Sequence, residues 1–98
     1  MKSQRLDSRE IQARLQPLAL TGWQRSESQE VLEKTYRCSS FTSALEFVMR
    51  VGTEAERSNH HPQITIDYRS VTLRLTTHDC GGLSALDFAA AAAYDKLE

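Results

Sequence analysis

The sequence predicts an α+β fold: a four-stranded antiparallel sheet with three helices packed on one face, in the order α-β-β-α-β-β-α. Three observations predict it. Residues 64–68 and 71–75 each alternate apolar with polar side chains, with only Arg69-Ser70 between them, as an antiparallel hairpin does. From Phe41 to Ser58 the apolar residues recur at helical spacing. Capping signatures, Asp7 with Glu10 and Ser84 with Asp87, open helical stretches near both ends of the chain.

The first helix starts at Asp7 as N-cap, and Ile11, Leu15 and Leu18 share one face. Pro17 is expected to stop or kink it near Leu15. Thr21-Gly22 breaks the pattern, and Trp23-Gln24-Arg25 begins a strand. Its partner runs from Leu32 to Cys38, with Leu32, Tyr36 and Cys38 on the apolar side and Lys34 among them. Trp23 is expected in the core or in a pocket wall. Ser39-Ser40 offers the N-cap of the longest helix. Phe41, Ala44, Leu45, Val48, Val51, Gly52 and Ala55 form its expected buried face, while Thr42, Ser43, Glu46, Arg50, Glu54 and Arg57 face water. This helix ends before Asn59-His60-His61-Pro62. In the hairpin, Tyr68 is expected opposite Val71, Ile66 opposite Leu73 and Ile64 opposite Leu75, because that register pairs apolar residues on one face. Gly81-Gly82 ends the last strand, and the alanine run Ala89–Ala93 favours the final helix.

Composition bounds the function. The chain has 98 residues, 12 Lys+Arg against 13 Asp+Glu, 40 % apolar and 26 % charged residues, the profile of one globular domain spanning 1–98. With a formal charge of −1 and no cationic block, nucleic acid is not an expected partner. No apolar run approaches the roughly 20 residues of a membrane span. The segment Met1–Asp7 has no apolar signal core, and Cys38 and Cys80 show no CxxC spacing, so a cytoplasmic chain with reduced thiols is expected.

The three histidines concentrate the chemistry. One further step along the expected hairpin register brings His61 opposite His78 on the polar face, with His60 adjacent through the backbone. Imidazoles titrate near pH ~6.5, so one ring can donate a proton while its neighbour accepts one at neutral pH. The plain alternative is a loop that ends a helix, where an imidazole gains from the helix dipole. Zinc held by His60 or His61 with His78, Asp79 and Cys80 is a second alternative, but the spacing matches no compact ligand pattern and these residues would alternate across strand faces. Glu56, one turn before His60, is placed to hold that ring's tautomer or to be a surface carboxylate. Asp87 caps the last helix and is also placed to orient a histidine.

These residues resemble the pterin-4a-carbinolamine dehydratase family. Its signature appears as Glu56, His60-His61-Pro62, Tyr68, His78 and Asp87, with Gly22-Trp23, Phe41, Ala44, Phe47-Val48, Val71, Thr77-His78-Asp79 and Gly82-Leu83 around it. The resemblance runs from about Leu15 to Asp95. It implies a hydro-lyase that converts 4a-hydroxytetrahydropterin to quinonoid dihydropterin, supporting tetrahydrobiopterin recycling, with neither metal nor organic cofactor. It implies a site of His60, His61 and His78, with His60 and His78 for acid and base work and His61 for substrate contact. Pterin contacts carry over to Asn59, His60, His61, Thr76, Thr77, His78 and Asp79, with Glu56 and Asp87 in support. Two positions depart from the pattern: Asn59 stands where many members carry an acid, and Leu86 where some carry Arg. The family also implies a homodimer or homotetramer, and some relatives serve as dimerisation or assembly modules on the same fold.

Overall fold

The computed structural model describes residues 3–26 and 30–98; Met1 and Lys2, at the head of the N-terminal segment, and Glu27, Ser28 and Gln29 lie outside the described residues. The elements are α1 (Ser8–Ala19), β1 (Gln24–Ser26), β2 (Val31–Arg37), α2 (Phe41–Ser58), β3 (Gln63–Asp67), β4 (Ser70–Leu75), a 3₁₀ turn (His78–Cys80) and α3 (Ala85–Asp95). The strands form one antiparallel sheet in the order β1-β2-β4-β3. This is the architecture expected from the sequence. No helix among the described residues is long and apolar enough to cross a membrane.

Both capping boxes form, at Asp7 with Glu10 and at Ser84 with Asp87. Helix α1, however, runs through Pro17 to Ala19 instead of stopping near Leu15. Pro17 forfeits its own N–H bond and its ring crowds the Ala13 carbonyl, but only two helical residues follow it. Leu18 still reaches the core, and its carbonyl accepts from the N–H groups of Thr21 and Trp23. Trp23 is core, and it lines neither of the hollows described below.

Helix α2 buries Ala44, Val51 and Ala55 of its expected face and adds Phe47, while Phe41 and Leu45 turn out of it, 48 % and 41 % exposed. Aromatic packing draws Phe47 in. The Phe47 ring lies 4.7 Å from that of Tyr36, which meets Trp23 edge-on at 6.2 Å. Lys34, on the apolar side of β2, is buried because its Nζ pairs with Asp95 at 2.8 Å and lies 4.3 Å above the Tyr36 ring.

The hairpin register also differs. Ile64 pairs with Leu73 and Ile66 with Val71, a shift of two residues that keeps every side chain on its expected face. Strand β4 is central, and its pairing with β2 extends to Arg37 opposite Ser70, drawing Ser70 into the ladder. The two-residue turn therefore falls on Tyr68-Arg69, with Tyr68 at φ +53° and exposed. Strand β4 ends at Leu75. After one bridge, Thr77 to Gly82, His78–Cys80 wind into the 3₁₀ turn, closed by Gly81 at φ +71°. The expected cross-strand pair of His61 and His78 is thus not formed, and His78, Asp79 and Cys80 do not alternate across a strand.

Candidate active site

The site begins at the C-terminus of α2. Asn59 adopts the left-handed conformation, φ +53° and ψ +40°. Its N–H donates to the Glu56 carbonyl, and the N–H of His60 donates to that of Ala55. This double closure is a Schellman motif, and asparagine is among the few non-glycine residues that accept the required backbone. The chain reverses there, and Pro62 prevents the helix from resuming. His60 is swung inward, with its side chain 11 % exposed. Asn59→Gly is therefore expected to keep stability. Asn59→Val should lower it by about 1–2 kcal/mol in chemical denaturation; an unchanged midpoint for the valine variant would contradict this role.

His60 turns onto a fully buried carboxylate. Its Nε2 lies 2.6 Å from Asp87 Oδ1. The other oxygen, Oδ2, accepts from the Thr77 hydroxyl at 2.8 Å and from the Ser84 N–H at 3.0 Å. Thr77 Oγ1 in turn lies 2.8 Å from Ser84 Oγ, which accepts from the Leu86 N–H at 3.2 Å. One assignment of hydrogens satisfies this chain: Leu86 N–H donates to Ser84, Ser84 O–H to Thr77, and Thr77 O–H to Asp87. Asp87 is left as an acceptor on both oxygens, so His60 Nε2 carries a proton and donates it. In neutral His60 the lone pair is then on Nδ1.

Glu56, expected to hold the His60 tautomer, reaches His61 Nε2 instead. The reversal at Asn59 leaves His61 beside the exposed last turn of α2, and both side chains are more than half exposed. The pair therefore contributes little to stability. Thr77, taken from the resemblance as a substrate contact, is 4 % exposed, with its hydroxyl committed to Ser84 and Asp87.

Two adjoining hollows meet at these residues. The smaller, about 280 Å³, is walled by Asn59, His60, His61 and His78, with Thr76, Thr77 and Asp79 beside them; Ser3 and Leu86 complete it. Its wall therefore brings together all seven residues named above as pterin contacts. The larger, about 540 Å³, shares His61, Thr76, Thr77 and His78 with it and continues over Gln63, Arg74, Val31 and Gly81. Tyr68 of the spaced signature stands in the hairpin turn and lines neither. No group of three or more His, Cys, Asp or Glu among the described residues is arranged to hold a metal ion.

The family model described as pterin 4 alpha carbinolamine dehydratase matches residues 4–97. The chain belongs to that family. Relatives of this dehydratase-family chain include a provisionally named pterin-4-alpha-carbinolamine dehydratase of Roseiflexus sp. (strain RS-1), 46 % identical over 95 % of this chain and 96 % of that one. One from Dinoroseobacter shibae, also provisionally named, is 38 % identical over 97 % and 98 %. Among solved structures, a transcriptional coactivator/pterin dehydratase from Brucella melitensis superposes with a TM-score of 0.88 at 29 % identity, covering 96 % of this chain and 98 % of its own. A pterin dehydratase-like protein identified as a RuBisCO assembly factor in the alpha-carboxysome gives 0.67 at 25 % identity, over 78 % and 88 %.

Several members of this candidate site escape sequence reasoning. Ser84 reads as an N-cap, and only the fold turns its hydroxyl onto Thr77. Arg74 and Gln63 share the larger hollow with His61 and His78. For Arg74 the signal is present in the alternation of residues 71–76, where Thr72, Arg74 and Thr76 stand between the apolar residues.

Proposed function

We propose that this chain dehydrates a 4a-hydroxytetrahydropterin to the quinonoid dihydropterin, with histidines as general acid and base, in the recycling of a tetrahydropterin. The observation that carries this reading is the buried Asp87 at 2.6 Å from Nε2 of His60, a histidine that lines one hollow together with His61 and His78. The reaction needs a base for the proton on N5 and an acid for the hydroxyl on C4a. As the proton leaves, the N5–H electron pair forms the N5–C4a double bond and the C4a–O bond breaks. The protonated hydroxyl departs as water. His60, with its Nε2 proton donated to Asp87, presents Nδ1 as the acceptor or, when protonated, as the donor. His78 supplies the complementary step, and His61 contacts the ring.

The test is the dehydration of chemically generated 4a-hydroxytetrahydropterin, followed by ultraviolet absorbance. Wild type is expected to accelerate it. The double variant His60→Ala/His78→Ala should lose about 10²–10⁴-fold. Full activity in the double variant would overturn the assignment. A folded wild type that does not accelerate the reaction would instead favour a second reading, a homo-oligomeric binding or assembly module. The observation behind that reading is the apolar stripe of Phe41, Leu45 and Met49 on α2, with Met49 71 % exposed.

A further inference from the structure

We propose that residues 3–6 form a strap that completes the wall of the smaller hollow and retains the ligand there, and that Arg5 and Glu30 are the positioning residues that latch it. The proposal rests on the dehydratase reading and deepens it, because it names residues that hold the substrate in place away from the acid–base groups.

The strap is anchored at its root. Leu6 is buried in the core, and its N–H donates to the Leu83 carbonyl at 2.9 Å. The other end reaches the site. Ser3 lines the smaller hollow, and its N–H donates to Asp79 Oδ2, in the same wall, at 3.4 Å. A bond of that length is weak and does not by itself hold the tip against the hollow. The fastening lies between root and tip. Arg5 Nη2 is 2.9 Å from Glu30 Oε2, and Arg5 Nε donates to the same oxygen at 3.2 Å. The bond from Arg5 is the largest of the effects that keep the Glu30 carboxyl below the usual carboxylate range.

Glu30 is tied to the wall behind the ligand as well. It stands at φ +52°, a left-handed backbone that glutamate rarely adopts and that persists where the surroundings over-determine it. Arg25 Nη2 donates to its Oε1 at 3.1 Å, Arg5 holds Oε2, and the Thr76 hydroxyl donates to its carbonyl at 3.2 Å. Thr76 lines both hollows. Gly82, bridged to Thr77, supplies the clearance for the latch. A Cβ at this position would overlap Glu30 Oε2 and lie 2.7 Å from Arg5 Nε, so the ion pair crosses where a side chain would stand. The Arg5 and Glu30 side chains are 53 % and 26 % exposed, which makes the latch modest in strength and sensitive to salt.

The experiment follows binding of oxidised pterin by its fluorescence, and kcat and KM for dehydration, in wild type, Arg5→Gln, Gly82→Ala and the double variant. Each single variant should weaken pterin binding about two- to fivefold, chiefly through faster release, and raise KM by a similar factor with kcat nearly constant. Both changes act on one latch, so the double variant should bind no more weakly than Arg5→Gln alone. Arg5→Lys should recover part of the loss, and added salt should narrow the gap between wild type and Arg5→Gln. Unchanged affinity in both single variants, or losses that add in the double variant, would overturn the proposal. Wild type that binds pterin without turning it over removes the dehydratase reading, and the affinities still decide the strap. Turnover with equal affinity in wild type and variants removes the strap and leaves that reading in place.

Discussion

Asp87→Asn is expected to lower kcat for pterin dehydration by about 10²–10⁴-fold, with KM changed by no more than a few-fold and the fold intact. The substitution keeps the shape of the side chain. Its carbonyl oxygen can still accept from the Thr77 hydroxyl and the Ser84 N–H, which hold Oδ2 at 2.8 and 3.0 Å. The remaining position, 2.6 Å from His60 Nε2, then carries an NH₂ donor. That donor demands a lone pair on Nε2, which moves the imidazole proton to Nδ1. The ring stays in place with the wrong tautomer, and inverting a carboxylate–histidine pair in this way costs up to ~10⁴-fold where histidine is the base. Asp87 acts here as a positioning residue, so a loss in kcat without a matching rise in KM is the diagnostic result. Circular dichroism and thermal unfolding check that the domain remains folded. A kcat equal to that of wild type would mean that the tautomer of His60 does not matter to the chemistry.

The largest expected effect on stability is at Asp95. This carboxylate, near the end of α3, accepts from Tyr36 Oη at 2.6 Å, Thr21 Oγ1 at 2.6 Å, Lys34 Nζ at 2.8 Å and Trp23 Nε1 at 3.1 Å. Burial by itself would raise its pKa, but the bonds from Lys34, Thr21, Tyr36 and Trp23 outweigh burial and hold it below the usual carboxylate range. Burial first, and then the bond to Asp95, push the Tyr36 hydroxyl far above its ordinary value, so it remains a donor. Asp95→Ala leaves the buried Lys34 ammonium unpaired and is expected to cost about 3–5 kcal/mol in chemical denaturation. Lys34→Met/Asp95→Leu should cost less than the single change, because the stranded charge is then gone.

The pH dependence follows from the same depressed pKa. The unfolded Asp95 carboxylate takes up a proton near pH ~3.9, and the folded one only at lower pH. Below that value the unfolded state binds more protons, so stability is lost as pH falls through the folded pKa, and it is fully present above pH ~4. Asp95→Asn should remove this part of the acid dependence. Identical acid profiles for the Asp95→Asn variant and wild type would show that this carboxylate does not contribute.

Local chemistry made much of the molecule legible in the sequence. The capping boxes at Asp7 and Ser84, the N-cap at Ser40 and the alternation in β2 and β4 depend on neighbours along the chain, and each forms as expected. Where two arrangements satisfied the same local pattern, the sequence could not choose. The hairpin has two registers with identical faces, and the ladder between β2 and β4 selects the one that draws Ser70 into the sheet. On helix α2 the expected Ala44, Val51 and Ala55 are in the core, and the Tyr36 ring adds Phe47 to them while Phe41 and Leu45 stay exposed.

The candidate site divides in the same way. Sequence alone determined the residue types: three imidazoles, a carboxylate in the first turn of α3, and the α-β-β-α-β-β-α order that brings them within reach. The tertiary structure decided their partners. It assigned Asp87 to His60 and Glu56 to His61, turned the Thr77 hydroxyl inward, and opened the larger hollow over Arg74. The physical reason is range. Caps and alternation are set by contacts within a few residues, whereas the direction of His60 depends on one left-handed residue at Asn59 and on a carboxylate 27 residues away.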